Sequence, residues 1–318
     1  GSCDTLTITK DTVMFAGNNS AYNQCLLEVE KYQKYCNNIL LIGVPHELNS
    51  VKTPNELREK YSVHYNKAAT VIQNSGLPAS FVKEQMAHLD YISRTIVAYI
   101  TMYAIQDKTD EWKIAFKQVA DMSWSEKTML TYRGLSRLAR QLPPMKYAIL
   151  ENGDGSDVKE PNRFMFDRCK DWFEGKVLEK VWAAFIYDDI MQQAHTEAYI
   201  DLYEEFKQNY PESPYLSVLE PGMEETIRFH KTELDESLYH LIPYDSTMTA
   251  LKDAWKSLKG KVVYVDVWAT WCGPCKEMFQ YVPAFKEKAK DLEVAYLYLS
   301  IDRPQAEKIW KKSIPYYN

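Results

Sequence analysis

The sequence contains little glycine and proline, with 11 and 14 residues respectively in a chain of 318. This composition excludes collagen-like chains, and the 46% of hydrophobic residues argues against a disordered chain. No apolar run approaches the roughly 18 residues that a membrane-spanning helix needs. Positive charge is not in excess, since 38 basic residues face 44 acidic ones and the net charge is −6. Such a chain has no basic field for a phosphate backbone, so we expect no nucleic-acid partner.

Cysteine is also scarce, and this excludes a disulfide scaffold. The six cysteines are Cys3, Cys25, Cys36, Cys169, Cys272 and Cys275. Cys25 and Cys36 are about 16 Å apart along one predicted helix, too far for a mutual disulfide, and we expect them and Cys169 to be buried structural thiols. Cys3, near the start of the sequence, is a candidate lipid attachment point, and the alternative is an unpaired thiol in a flexible tail. We expect membrane contact only through such an anchor.

The chain length predicts two domains, and the patterning places their boundary near residue 240. Residues 1–240 form a mainly helical domain that starts with a short β-hairpin over residues 5–16. Its predicted helices cover residues 21–42, 54–75, 80–106, 110–120, 125–142, 161–174, 177–209 with a break, and 214–232. Residues 241–318 begin with a linker and continue as helix 249–258, strand 262–268, helix 274–291, strand 294–301 and helix 305–313. A strand–helix–strand order is typical of a parallel sheet, so we expect an α+β protein with an α/β second domain.

The motif Trp271-Cys272-Gly273-Pro274-Cys275-Lys276 lies where a predicted strand ends and a helix begins. A cysteine at a helix N-terminus is stabilised as a thiolate by free N–H groups and the helix dipole, so Cys272 is the predicted attacking sulfur. Cys275, one turn later, can close a disulfide with it and is the predicted resolving thiol. Gly273 allows a turn without a Cβ, and Pro274 is tolerated in a first helical turn. The pair therefore predicts a redox-active disulfide.

A zinc site is the alternative interpretation of a C-x-x-C pair. It needs two further Cys or His ligands, and the sequence has neither after Cys275, so His230 and His240 would have to fold back. We therefore favour redox chemistry and expect no metal and no cofactor, since no glycine-rich phosphate loop is present either. The Asp188–Asp189 and Glu204–Glu205 pairs are interpreted as solvated helix faces.

Asp266 is unusual because it interrupts the apolar run Val262 to Trp268. A buried carboxylate there would have a raised pKa and could take the proton from Cys275, whereas a carboxylate at a sheet end would simply be solvated. The run itself is typical of a strand covered on both faces. Trp268 and Trp271 are expected to shape the surface around the thiol, with core packing as an equal alternative for Trp268.

The segment Val265-Asp266-Val267-Trp268-Ala269-Thr270-Trp271-Cys272-Gly273-Pro274-Cys275-Lys276 resembles thioredoxin. The part from Trp268 to Cys275 is especially similar to the TlpA-like thiol–disulfide oxidoreductases of bacterial cell envelopes, and the helical region resembles the N-terminal extensions of some members. This resemblance, over about residues 245–318, implies Cys272 as nucleophile, Cys275 as resolving cysteine and Asp266 as the buried carboxylate. Trp271, Gly273 and Pro274 are the implied substrate-binding residues. It further implies protein disulfide substrates, a membrane thiol reductase as electron donor, and a periplasmic or envelope location.

The sequence also departs from the family pattern. A complete thioredoxin fold continues with a strand opened by a cis-proline, another strand and a final helix, and we do not assign Pro315 as that proline because it follows a helix. We therefore expect a partial fold with an uncovered apolar sheet face, arising from truncation or covered by the helical region or a second chain. A binding protein, in which the helical domain docks a partner and the redox segment is inert, is the alternative to an enzyme that reduces disulfides.

Overall fold

A computed structural model describes residues 5–8, 13–32, 51–103, 109–121, 125–132, 134–239, 241–242 and 249–317. Helices predominate, and the described strands form two separate two-stranded sheets, so the α+β prediction is confirmed. In chain order the elements are β1 (Thr5–Ile8), β2 (Val13–Ala16), α1 (Ser20–Tyr32), α2 (Pro54–Gln73), α3 (Ala79–Tyr103), α4 (Asp110–Ala120), α5 (Glu126–Thr131), α6 (Leu135–Met145), α7 (Pro161–Arg168), α8 (Gly175–Met191), α9 (Ala198–Asn209), α10 (Leu216–Lys231), α11 (Thr249–Ser257), β3 (Val262–Trp268), α12 (Gly273–Phe279), α13 (Val282–Lys288), β4 (Val294–Ser300) and α14 (Glu307–Tyr317). Within the described ranges no helix combines the length and the apolarity needed to cross a membrane.

Two compact units divide the chain, Gly1–Val181 and Trp182–Asn318, and the division falls within α8. The second unit thus groups the helical residues 182–231 with the C-terminal α/β segment. The domain boundary near residue 240 stays a prediction from the sequence.

The first unit is built from an antiparallel hairpin and helices that pack around apolar clusters. In the hairpin, β1 pairs with β2 in the register Thr5 to Ala16. Helices α2, α3 and α4 enclose one cluster around Trp112, whose indole N–H donates to the carbonyl of Lys52 at 3.0 Å. Cys25 is buried in a second cluster, and burial raises the pKa of its thiol. Burial likewise raises the pKa of the Cys169 thiol, so both behave as the structural thiols that we expected, whereas Cys36 lies outside the described residues.

Local capping explains where helices such as α2 begin. Thr53 accepts a hydrogen bond from the backbone N–H of Glu56 at 3.2 Å, and the Glu56 carboxylate accepts from the N–H of Lys52 at 2.8 Å. Pro54 occupies the first turn, where its missing N–H costs nothing. This arrangement is close to a capping box, except that the Glu56 carboxylate accepts from the residue before the N-cap and not from the N-cap itself.

Two predicted helices are each divided into two in the structure, so their predicted lengths are wrong. The helix expected over 125–142 is two helices, α5 and α6, with Gly134 at the start of the second. The helix expected over 274–291 is also two, α12 and α13, because Pro283 lies in the first turn of α13 and lacks the N–H that would continue α12. The predicted break within 177–209 is present between α8 and α9.

The C-terminal sheet is a parallel pair with one covered and one open face. Strands β3 and β4 pair from Val262 with Val294 to Trp268 with Ser300. Aromatic residues of α12 and α13 cover one face, where the Trp268 and Phe279 rings are 5.2 Å apart between centroids. On the other face Val265 and Val267 are 38% and 55% exposed. The strand run therefore wrongly indicated burial on both faces, since among the described residues this second face of β3 is partly exposed.

Candidate active site

The turn between β3 and α12 carries the two cysteines of the motif. Cys272 is the N-cap of α12, with φ −89° and ψ 93°, and its Sγ accepts a hydrogen bond from the backbone N–H of Cys275 at 3.3 Å. Cys272 and Cys275 form a disulfide across a Cα separation of 5.3 Å, and both are half-buried. The sulfur of Cys272 thus lies at a helix N-terminus, where N–H groups and the dipole stabilise a thiolate once the disulfide is reduced.

Gly273 and Pro274 form the first turn of α12. Pro274 is exposed and occupies a position where a proline is tolerated, as the sequence indicated. Gly273 does not have a left-handed φ, and a Cβ there would contact no heavy atom within 4 Å. The turn therefore does not require the missing Cβ, and the absent side chain leaves open space beside Cys272.

The two tryptophans of the motif have different surroundings. Trp271, directly before Cys272, is 69% exposed, whereas Trp268 is 3% exposed. Trp268 belongs to an apolar cluster with Phe279 and Val282, against which Cys275 packs. Core packing thus accounts for Trp268, and Trp271 is the tryptophan that faces outward at the thiol.

Asp266 lies on β3 opposite Tyr298 and is half-buried rather than deeply buried. Its carboxylate accepts a hydrogen bond from the Tyr264 hydroxyl at 3.2 Å. The expectation of deep burial is wrong because, in the described part of the chain, β3 has only β4 beside it in the sheet. The role of Asp266 in accepting a proton from Cys275 stays a prediction.

Asp302, which the sequence reasoning missed, fixes the loop before the cysteines. Its two carboxylate oxygens accept from the backbone N–H of Thr270 at 3.0 and 3.1 Å, and one also accepts from the Thr270 hydroxyl at 2.8 Å. The Ser300 hydroxyl donates to the same carboxylate at 2.7 Å. One signal could have revealed it: Thr270 follows β3, Asp302 follows β4, and the carboxyl ends of parallel strands meet at one sheet edge.

Lys276, directly after the second cysteine, is only 5% exposed. Its ammonium donates to the backbone carbonyl of Gln193 at 2.6 Å. Burial lowers the pKa of Lys276 to about 8, while the negative charges of Asp189 and Asp302 act in the opposite direction. No sequence pattern pointed to this contact, since its partner is a backbone atom 83 residues away.

The remaining polar candidates have other roles. Asp189 is 7% exposed and accepts from the backbone N–H of Thr196 at 3.1 Å, so its assignment to a solvated helix face is wrong. His230 bonds the carbonyl of His195 at 2.6 Å. Among the described residues there is no group of three or more metal-ligating side chains. Cys3 and His240 lie outside the described residues.

Comparison with known proteins gives a family match in the C-terminal part of the chain and several partial matches to curated relatives. The Redoxin family model matches residues 246–318. An H-type thioredoxin from Oryza sativa subsp. indica is 36% identical over 69 residues, which are 22% of this chain and 49% of that protein. The thiol-disulfide oxidoreductase ResA from Bacillus cereus is 31% identical over 67 residues, 20% of this chain and 35% of that protein. A thioredoxin from Streptomyces clavuligerus is 36% identical over 58 residues, 18% of this chain and 54% of that protein.

The chain thus spans about half or less of the length of these curated relatives. No solved structure matches it. The turn that carries the two cysteines, residues 269–276, is called the dithiol turn below. It lies wholly inside the residues that the Redoxin family model matches. The C-terminal part of the chain therefore carries a Redoxin domain, which is thioredoxin-like.

Proposed function

We propose that this protein is a thiol–disulfide oxidoreductase that reduces disulfides of substrate proteins through Cys272 and Cys275. The observation that carries the proposal is the disulfide between these two residues at the N-terminus of α12. A disulfide closed within one helical turn can open to a dithiol without moving the backbone far, and the helix N-terminus favours the thiolate that begins the exchange.

The reaction conserves atoms and electrons in two exchange steps. The Cys272 thiolate attacks one sulfur of the substrate disulfide, which forms a mixed disulfide and releases the first substrate thiolate. Cys275 then loses its proton and attacks the Cys272 sulfur, which releases the second substrate thiolate and closes the Cys272–Cys275 disulfide. Two electrons pass to the substrate, and an external dithiol donor must return them.

Four residues around this dithiol have particular proposed roles. The exposed Trp271 ring and the open space at Gly273 provide a surface beside Cys272 where a substrate chain can approach. Exposed Pro274 borders the same surface. Asp266, on the strand that leads to the turn, is the proposed acceptor of the Cys275 proton.

The proposal also covers the cellular location of the protein and its electron donor. The likeness of Trp268–Cys275 to the TlpA-like subgroup, together with the ResA relative, supports a role in the bacterial periplasm or cell envelope. A membrane thiol reductase is the proposed donor of electrons, and Cys3 is the proposed lipid attachment point. The Gly-Pro dipeptide between the cysteines supports reduction as the physiological direction, with a potential on the order of −270 mV.

Insulin-disulfide reduction with dithiothreitol as donor tests the function. We expect turnover by the wild-type protein, none by Cys272→Ser, and an accumulated mixed disulfide with Cys275→Ser because resolution is blocked. Cys25→Ala, in the first unit, is the matched control and should keep its activity. Equal inactivity of the folded wild-type and Cys272→Ser proteins would reject the enzyme and favour the alternative, a binding protein with an inert redox segment.

A further inference from the structure

The dithiol helix has a buried connection to helices that precede the Redoxin match. Lys276 lies in the first turn of α12, directly after Cys275, and its ammonium is bonded to the carbonyl of Gln193. Gln193 belongs to the α8–α9 loop, residues 192–197, in the same compact unit. An ammonium is withdrawn from water only at a considerable free-energy cost, so a buried lysine beside a redox pair requires an explanation.

The α8–α9 loop has a defined shape that presents this carbonyl. Gln193 and His195 both have positive φ, 48° and 49°, which is unfavourable for residues other than glycine. Asp189 stabilises the loop, because its backbone carbonyl accepts from Ala194 at 3.1 Å and its carboxylate accepts from Thr196 at 3.1 Å. A backbone held in a strained conformation by several hydrogen bonds is typical of a functional constraint.

Two carboxylates act electrostatically on the Lys276 ammonium. Asp189 acts on it from α8 and Asp302 from the loop after β4, and Lys276 in turn acts on the buried His195. Asp302 is bonded to Thr270, two residues before Cys272. Without the ammonium, the negative charges of Asp302 and Asp189 would no longer be offset by Lys276, and their field would disfavour a thiolate on Cys272.

We propose that Lys276 is a positioning residue that connects the dithiol turn to the α8–α9 loop and increases the acidity of Cys272. This inference rests on the proposed function and assigns a part of the helical region to the redox site. The redox site thus extends beyond the segment that the Redoxin family model matches and includes the α8–α9 loop.

Three substitutions at one position separate the contact from the charge. Lys276→Met removes both the hydrogen-bond donor and the charge, Lys276→Gln keeps a donor but removes the charge, and Lys276→Arg keeps both. Lys288→Met, at an exposed lysine of α13, is the matched control. Far-UV circular dichroism and Tm of each variant report whether it is folded.

The first measurement is the rate of Cys272 alkylation by iodoacetamide against pH, in protein reduced and then freed of reductant. We expect the pKa of Cys272 to rise by about 0.5 to 1 unit in Lys276→Met and Lys276→Gln, which lowers the thiolate fraction about threefold to tenfold at pH values well below that pKa. The reduction potential should become more negative, because the reduced form loses stabilisation. Lys276→Arg and Lys288→Met should match the wild type.

The second measurement is hydrogen exchange of the peptide that contains residues 192–197. Exchange should accelerate in Lys276→Met and change less in Lys276→Gln and Lys276→Arg. An unchanged alkylation profile in folded Lys276→Met or Lys276→Gln, or unchanged exchange of the loop in Lys276→Met, would overturn the inference. If Lys276→Met does not fold, the alkylation profile of Lys276→Gln decides. Because neither measurement uses insulin, they separate failure of this inference from failure of the proposed enzyme.

Discussion

At the scale of single residues, the dithiol turn depends on groups outside the C-x-x-C motif. Cys272 and Cys275 could be assigned from the sequence because their spacing and the strand-to-helix transition are local features. Asp302 could not be assigned with the same ease, since its partner Thr270 is 32 residues away. Its carboxylate satisfies the Thr270 N–H and hydroxyl together, and this fixes the loop that presents Trp271 and Cys272.

Asp302→Asn should slow catalysis and lower stability. The amide retains one oxygen but cannot accept at both positions, so part of the Thr270 contact is lost, at a cost of about 1 to 2 kcal/mol. We expect a reduced rate of insulin-disulfide reduction and a lower Tm, with the disulfide still able to form. Asp291→Asn, at an exposed position between α13 and β4, is the control. A fully active Asp302→Asn protein with unchanged Tm would show that the contact is dispensable.

At the scale of elements, helix positions were predicted well and helix interruptions less well. Hydrophobic spacing and caps locate α2 and α10 to within a few residues because these signals are local. The approach of Ile190 in α8 to Gly222 in α10 is different, since it joins residues 32 positions apart in the chain. A Cβ at Gly222 would lie 2.3 Å from Cγ2 of Ile190, so the approach requires glycine.

Gly222→Ala should destabilise the second unit despite the better helix propensity of alanine. Overpacking against Ile190 costs about 1 to 3 kcal/mol, against a gain of up to about 1 kcal/mol in propensity. Urea unfolding of the single variants and of the Ile190→Ala/Gly222→Ala double variant measures the coupling. In the Ile190→Ala background the same substitution should be neutral or stabilising. Equal costs in both backgrounds would contradict the steric explanation.

At the scale of the whole molecule, the second unit joins helices and α/β segment through buried polar contacts. His195, 5% exposed, stacks on Phe229 of α10 with ring centroids 4.5 Å apart. Its Nε2 lies 3.3 Å from the Tyr317 hydroxyl of α14. Burial, together with the positive charges of Lys276, His230 and Arg228, lowers the pKa of His195 to about 4 against the opposing effect of Glu225. The buried imidazole of His195 is therefore neutral near pH 7.

Stability of the second unit should fall as the pH falls from about 6.5 towards 4. In that window the unfolded chain binds a proton at His195 that the folded chain does not, so protonation favours unfolding, by on the order of 3 kcal/mol at the acid end. We expect a weaker pH dependence of the urea midpoint between pH 7 and pH 5 in His195→Gln than in the wild type. His64→Gln, in the first unit, is the control. Parallel pH dependences of wild type and His195→Gln would contradict the assignment.

The sequence by itself determined the α+β class, most helices, the parallel strand pair and the position of the two cysteines at a helix start. These depend on periodicity, caps and a strand-to-helix transition, which act over a few residues. Only the tertiary structure decided that Asp266 is half-buried, that Asp189 is buried and that Lys276 bonds the Gln193 carbonyl. These three features depend on which segments, distant in the chain, pack together. No pattern of residue types in the sequence reveals a bond to a backbone carbonyl or the exposure of a sheet face.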